Sequence, residues 1–443
     1  MDSGDTAFVL VSAALVMFMT PGLALFYGGM VRAKNVLGTV MHSFFALGVV
    51  SVLWVLIGYT LAFGPDKGHL IGGLDYLGFA GVGPEPNPDL APTIPHLAYA
   101  AFQLMFAVIT PALISGAFAE RMRFPGYVLF TAMWLLFVYA PLAHWVWAPG
   151  GWIRELGALD FAGGTVVHIN SGIAALAAAL VIGRRAGFGR DAIVPHNLPL
   201  TVLGAGMLWF GWFGFNAGSA LAANGLAAGA FITTNTAAAA GAIGWALFDM
   251  LRSRRSTTLG VASGAVAGLV AITPAAGFVG PTASIAIGLA AGLVCAAATT
   301  VKFRFGYDDA LDVVGVHLVG GMIGALLIGI FANTAFNELG ADGLLAGGGL
   351  ALLGKQAVAV GATLVFSFVG SFVLLKVTQA VVGLRVSPEE ESTGLDLSQH
   401  AEAGYAFSEG VGGHSPATGH WPTPAPSAAH TPVMPVAQGD SAR

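Results

Sequence analysis

Eleven long apolar runs, separated by short polar connections, limit what this chain can fold into. Each approaches or exceeds the ~20 residues that cross a bilayer as helix, since a helix rises about 1.5 Å per residue through a hydrocarbon layer about 30 Å thick. The run cores are Ala7 to Val31, Thr39 to Phe63, His96 to Ala119, Pro125 to Val146, Gly163 to Ile182, Leu198 to Ala220, Ala227 to Leu251, Thr258 to Phe278, Ser284 to Thr300, Val313 to Phe331 and Leu350 to Val377. Hydrophobic residues make up 56% of the chain and Asp, Glu, Lys and Arg only 9%, against about 25% charged residues in a soluble domain. β-Barrel alternation is absent, and about half of the 63 glycines fall inside the runs, where small residues let helix backbones approach closely in lipid. The fold class read from this pattern is an all-α polytopic membrane protein with eleven transmembrane helices.

The first run follows "MDSGD", which carries two acids and no basic segment, so it reads as a retained helix rather than a signal peptide. Cys295 is the single cysteine; an intrachain disulfide and a cysteine metal cluster are both excluded.

Basic residues gather in alternate connections: Arg32 and Lys34, Arg121 and Arg123, Arg184, Arg185 and Arg190, Arg252, Arg254 and Arg255, Lys302 and Arg304, then Lys376 and Arg385. By the positive-inside rule these ends are cytoplasmic, which places the N-terminus outside and, after eleven crossings, the C-terminus inside.

Two histidines interrupt the apolar pattern in the same way. "DFAGGTVVHINSG" and "DALDVVGVHLVGG" each place an Asp eight residues before a Val-His pair, at Asp160 and His168 and at Asp309 and His317. They belong to the fifth and tenth runs, and an odd period of five helices makes the second copy cross in the opposite direction. The expected architecture is therefore an inverted five-helix pseudo-repeat plus a final long helix, with a site near the midplane where the halves meet. Its boundaries are residues 5–383 for the transmembrane domain, with a first repeat over about 5–190, a second over about 197–335 and the eleventh helix over about 348–380. Residues 384–409 read as a cytoplasmic tail, and 410–443, rich in Pro, Ser, Thr and His, as a disordered extension.

Intramembrane imidazoles need partners and usually face a bundle interior or pathway, so the pair His168 and His317 is the first functional candidate. The plainer alternative is that each ring only bonds a neighbouring helix, the reading preferred for His42 and His144 near predicted helix ends. Two histidines with no third strong ligand make a poor zinc cage, and neither metal nor cofactor is expected. Asp160, about 12 Å along the axis from His168 if the helix is continuous, reads mainly as a cap for the helix entrance that also favours cations nearby. Phe102, Phe106, Trp145, Trp147, Trp209, Trp212, Phe213 and Phe215 are aromatics of the kind that pack or anchor such helices; their faces, with a hydroxyl such as Ser219, also suit a small dehydrated cation.

The strings "TPGLALFYGG", "GALDFAGGTVVHINSG", "GRDAIVPHNLPL", "GWFGFNAGSA", "DDALDVVGVH" and "GLDLSQHAEAGY", in this order over roughly Asp5 to Tyr405, resemble the ammonium transporter (Amt/Mep/Rh) family in its bacterial Amt type. The resemblance implies a homotrimer in the cell (inner) membrane, each protomer carrying an apolar pore. It implies an outer recruitment site at Phe106, Trp147 and Ser219, a stacked phenylalanine gate at Phe106 and Phe215, pore histidines at His168 and His317, a pore-lining Trp212 and a cation-stabilising Asp160. It also implies a PII-type signalling protein docking at the cytoplasmic face, where "STGLDLSQHAEAGY" keeps a character like the family's "EGLD". Ammonium recruited outside would pass as ammonia, with or without a separately relayed proton. An ammonium sensor with little flux is the competing function; a gas or water channel would have no use for the aromatic cation site. No nucleophile and base, phosphate loop or dinucleotide motif stands in a suitable context, so neither an enzyme nor a nucleic-acid partner is expected. His414, His420 and His430 in the extension carry no role that the sequence derives.

Overall fold

The computed structural model describes residues 1–405; the extension over 410–443 and its three histidines lie outside the described residues. Ten helices are long and apolar enough to cross a membrane: α1 (Ser3–Met30), α2 (Ala33–Phe63), α3 (His96–Phe118), α4 (Phe124–Leu156), α5 (Gly164–Ile182), α6 (Leu198–Gly218), α7 (Gly225–Ser253), α9 (Pro281–Phe305), α10 (Val314–Phe331) and α11 (Ala351–Val381). The helix between α7 and α9, α8 (Thr258–Ile272), is shorter.

That short helix corrects one expectation. The eighth run was read as helical to Phe278, but the helix ends after 15 residues, about 22 Å of rise. Thr273 still has helical dihedrals (φ −49°, ψ −50°) and closes the last turn on Leu269 O, but Pro274 after it supplies no backbone N–H to continue the ladder. The chain continues through buried turns, with Ala275 N donating to Ile272 O at 2.8 Å and Phe278 N to Ala275 O at 2.8 Å. Elsewhere the helix ends fall within about six residues of the predicted cores, except that α4 runs past Val146 to Leu156, its last turn Trp152–Leu156 following a break after Trp147.

The first helices of the two halves, α1 and α6, pack on each other through glycines. A Cβ on Gly204 would sit 2.3 Å from the backbone N of Phe26, and one on Gly29 would meet Thr201 Oγ1 at 2.3 Å. Here a side chain would force the helices apart, so close backbone approach replaces the hydrophobic drive that lipid removes. Both α5 and α10 open with π-helical turns, Gly164–Ile169 and Val314–Leu318, and each turn holds one of the paired histidines. A π turn inserts a residue and re-aims the side chains around it, often at functional sites. Two small hairpins, Asp66–Lys67 with Ile71–Gly72 and Pro86–Asn87 with Ala91–Pro95, fold the α2–α3 connection.

The basic connections converge on one buried network. Glu120, at φ 71°, accepts from Arg32 N at 2.8 Å, Arg32 Nε at 3.0 Å, Asn35 Nδ2 at 2.9 Å and Arg185 at 2.9 Å. Arg185 also grips Asp308 with two nitrogens at 2.9 Å. Burial opposes ionisation of Glu120 and Asp308, yet the arginines hold both carboxyls below their ordinary range; such fork-shaped pairs are the strong kind. The tail joins the same end as two short helices, α12 (Pro388–Thr393) and α13 (Leu395–His400). Glu391 accepts from Ala186 N and Arg385, Asp396 accepts from Gly38 N at 2.8 Å, and Asn35 accepts from Leu395 N at 2.8 Å.

Candidate functional site

The apolar runs of α3, α4, α5, α6 and α10 bring Phe102, Phe106, Trp147, Phe215, Trp212, His168 and His317 together, whereas Trp145 packs on Phe366, Phe213 stacks on Phe231, and Trp209 lines neither cavity. At one end a pocket is lined by Phe106, Trp147 and Ser219, with Phe102, Gln103 and Arg154. The Phe106 ring stands edge-on to Trp147 at 5.7 Å. Trp147 Nε1 donates to Asp160 O at 3.1 Å, which fixes the indole, and Ser219 Oγ donates to Phe215 O at 2.8 Å, which leaves its oxygen lone pairs for a guest. Aromatic faces and a hydroxyl acceptor are groups whose chemistry suits a small cation.

Below the pocket Phe106 and Phe215 close on each other, ring centroids 4.4 Å apart, each about 1% exposed. Beyond them lies a cavity walled by Leu23, Ile109, Leu113, Val167, Leu208 and Val266, with His168, Trp212 and His317 as its polar groups. Only about 10 Å³ of it is open to the centres of water-sized molecules, roughly enough for one. His317 also lines the next cavity, with Tyr27, Trp245, Ser263 and Asp312, so the pair stands between the two cavities.

The histidine rings stack at 5.4 Å, with Nδ1 facing Nδ1 at 3.3 Å. A residue missed in the sequence, Thr273, sets their polarity. Its hydroxyl donates to Leu269 O at 2.7 Å, accepts from Trp212 Nε1 at 2.8 Å and faces His168 Nε2 at 3.3 Å. A hydroxyl has one proton to give, and Leu269 takes it, so His168 Nε2 is the N–H donor here. In the neutral ring His168 Nδ1 must then accept, His317 Nδ1–H donates to it, and His317 Nε2 keeps a free lone pair. The pair thus forms a directed hydrogen-bond chain from Thr273 to the inner cavity.

Asp160 lies just before α5, not inside a continuous helix. Its carboxylate accepts from the N–H groups of Gly163, Gly164 and Thr165 at 2.7 Å and from the Thr165 hydroxyl; it caps the entrance as expected. Burial pushes this carboxyl above its ordinary range, while the Thr165, Gly163 and Gly164 donors pull the other way. Its repeat partner Asp309 accepts from Val314 N at 2.7 Å, the equivalent cap of α10. His42 and His144 lie outside the passage: His42 packs on Tyr127 and Phe118, and His144 bonds Ala62 O and Asp66. Among the described residues no cluster of His, Cys, Asp and Glu suits a metal ion.

Thr273 had a signal that sequence reasoning did not use. "ITP" occurs at Ile109 to Pro111 and again at Ile272 to Pro274, the third helix of each half, so the repeat itself marks the position. Arg154, in the outer pocket, had none beyond its place in a sparse connection.

Residues 7–405 match the model of the Ammonium Transporter Family. The chain is 55% identical over 406 residues to an ammonium transporter of Bacillus subtilis, covering 91% of this chain and 99% of that one. It is 50% identical to an ammonium transporter of Mycobacterium bovis, over 93% of this chain and 92% of that one. Among solved structures, Mep2 of Candida albicans superposes with a TM-score of 0.83 at 34% identity, covering 88% of each chain, and a protein described as "Sensor Amt Protein" with 0.81 at 31%, covering 90% of this chain and 98% of that one. A multi-pass helical bundle whose sequence matches along nearly its whole length belongs to the ammonium transporter family, a family of transporters and not of enzymes.

Proposed function

We propose that the protein recruits ammonium at Phe106, Trp147 and Ser219 and conducts ammonia past the Phe106 and Phe215 rings along His168, Trp212 and His317. The observation that carries this reading is the unbroken succession of cation pocket, closed ring pair and histidine pair in one apolar line. An apolar passage disfavours an ion far more than neutral ammonia, so a cation that cannot lose a proton, such as potassium, stops at the gate. The directed histidine chain supplies hydrogen-bond partners for ammonia and a route by which a proton is handed on.

The same reading takes residues 5–383 as the transporting domain and 384–409 as a regulatory tail, of which 384–405 are described and held on the cytoplasmic end. It places the protein in the cell (inner) membrane on the family's pattern, with its N-terminus outside because the basic network of Arg32 and Arg185 lies at one end. A homotrimer and a PII-type protein on the tail face complete it, both on the family's pattern. A second reading, an ammonium sensor, is favoured by the likeness to the "Sensor Amt Protein"; it predicts binding without flux.

Uptake of labelled methylammonium by transport-deficient cells separates the two. Parent protein should restore uptake and His168→Ala should lose at least tenfold. Saturable binding by purified protein without any uptake would overturn transport in favour of sensing.

A further inference from the structure

The outer pocket is lined by one formally charged side chain, and that charge is positive. Arg154 shares the pocket with Phe106, Trp147 and Ser219, and its guanidinium donates to Trp147 O. Among the described residues no carboxylate forms an ion pair with it. The acid beneath this pocket, Asp160, is buried and committed to the amides of α5 and to Thr165. A site built to retain ammonium tightly would neutralise such a charge or exclude it.

We propose that Arg154 determines the affinity of the outer site: its charge holds ammonium binding down and biases the bound cation toward ammonia, the form the apolar passage carries. A like charge nearby disfavours the protonated state of any titrating group. In the step concerned an N–H bond of NH₄⁺ breaks, a water molecule in the pocket takes the proton as H₃O⁺ for relay toward the histidine chain, and NH₃ is left at the gate. Arg154 does not touch the reacting atoms in this account. It is a positioning residue that acts through its potential, while its bond to Trp147 O holds the guanidinium at the pocket.

This inference rests on the recruitment reading above, and the test keeps the two apart. Parent, Arg154→Gln and Arg154→Lys are reconstituted in liposomes, and the apparent KM for ammonium is measured at low and at high ionic strength. A unit charge within about 10 Å of the site, partly screened by water, corresponds to roughly three- to tenfold in affinity. Arg154→Gln should lower KM by that factor and Arg154→Lys should stay near the parent, with the gap shrinking in high salt. Equal shifts in both variants would mean that the bond to Trp147 matters and the charge does not, which overturns the proposal, as would an unchanged KM in Arg154→Gln. A parent with no saturable ammonium flux would overturn the recruitment reading and this inference with it; a saturable parent with an insensitive variant overturns this inference alone.

Discussion

Replacing Thr273 by Val keeps the shape of the side chain and removes the hydroxyl that orders the histidine pair. Two buried donors then lose their acceptor: Trp212 Nε1, now at 2.8 Å, and His168 Nε2, now at 3.3 Å. Trp212 is 2% exposed and His168 1%, so water does not take over. A buried donor left unpaired costs about 1–3 kcal/mol, and the longer His168 contact belongs at the low end, giving about 2–4 kcal/mol in all. Without Thr273 the His168 tautomer is no longer fixed, and the chain from Thr273 to His317 Nε2 has no set direction. Thr273→Val should therefore unfold at lower temperature in detergent and carry ammonium at least tenfold more slowly in liposomes. Thr273→Ser, which restores the oxygen, should recover most of both. Parental stability and flux in Thr273→Val would refute the hydrogen-bond assignment, and so would a Ser variant as impaired as the Val one.

Three further outcomes are expected. Trp147→Leu removes a π face worth about 1–2 kcal/mol to a desolvated cation, so the apparent KM for ammonium should rise about tenfold with little change at saturation. Asp160→Ala strands three backbone N–H groups at the start of α5 and should cost about 3 kcal/mol or more, with Asp160→Asn retaining part of it; thermal unfolding of the two variants checks the order. Burial pushes the Asp309 carboxyl up to about 6 from an ordinary value of about 3.9. Between those values the native state binds more protons than the unfolded one, so this group's contribution to stability falls as pH rises from about 4 to about 6 and is level above. Asp309→Asn should remove that slope, which unfolding curves at pH 4.5 and 7 would reveal.

Much of the architecture was legible because lipid leaves so few solutions for a backbone. Run lengths mark the helices, and the matching segments around His168 and His317 mark the repeat in the sequence itself. What escaped depends on approach between helices distant in sequence. Pro274 stops α8 early, a boundary that hydropathy cannot see because the turns after it are as apolar as the helix. Thr273 then meets residues of α5 and α6 only through the fold, and Arg154 enters the aromatic pocket from the last turn of α4, a stretch whose composition marks no role. The two π turns were likewise invisible, since nothing in "GTVVHI" or "VGVHL" distinguishes a π turn from an ordinary helical one.

Charge movement in proteoliposomes exposed in turn to ammonium and potassium pulses tests the histidine-lined passage most directly, with His168→Ala measured beside the parent. The account predicts a parent response to ammonium and none to potassium, and a variant in which ammonium response is lost or potassium begins to pass. Equal parent responses to both cations, or a variant indistinguishable from the parent, would contradict it.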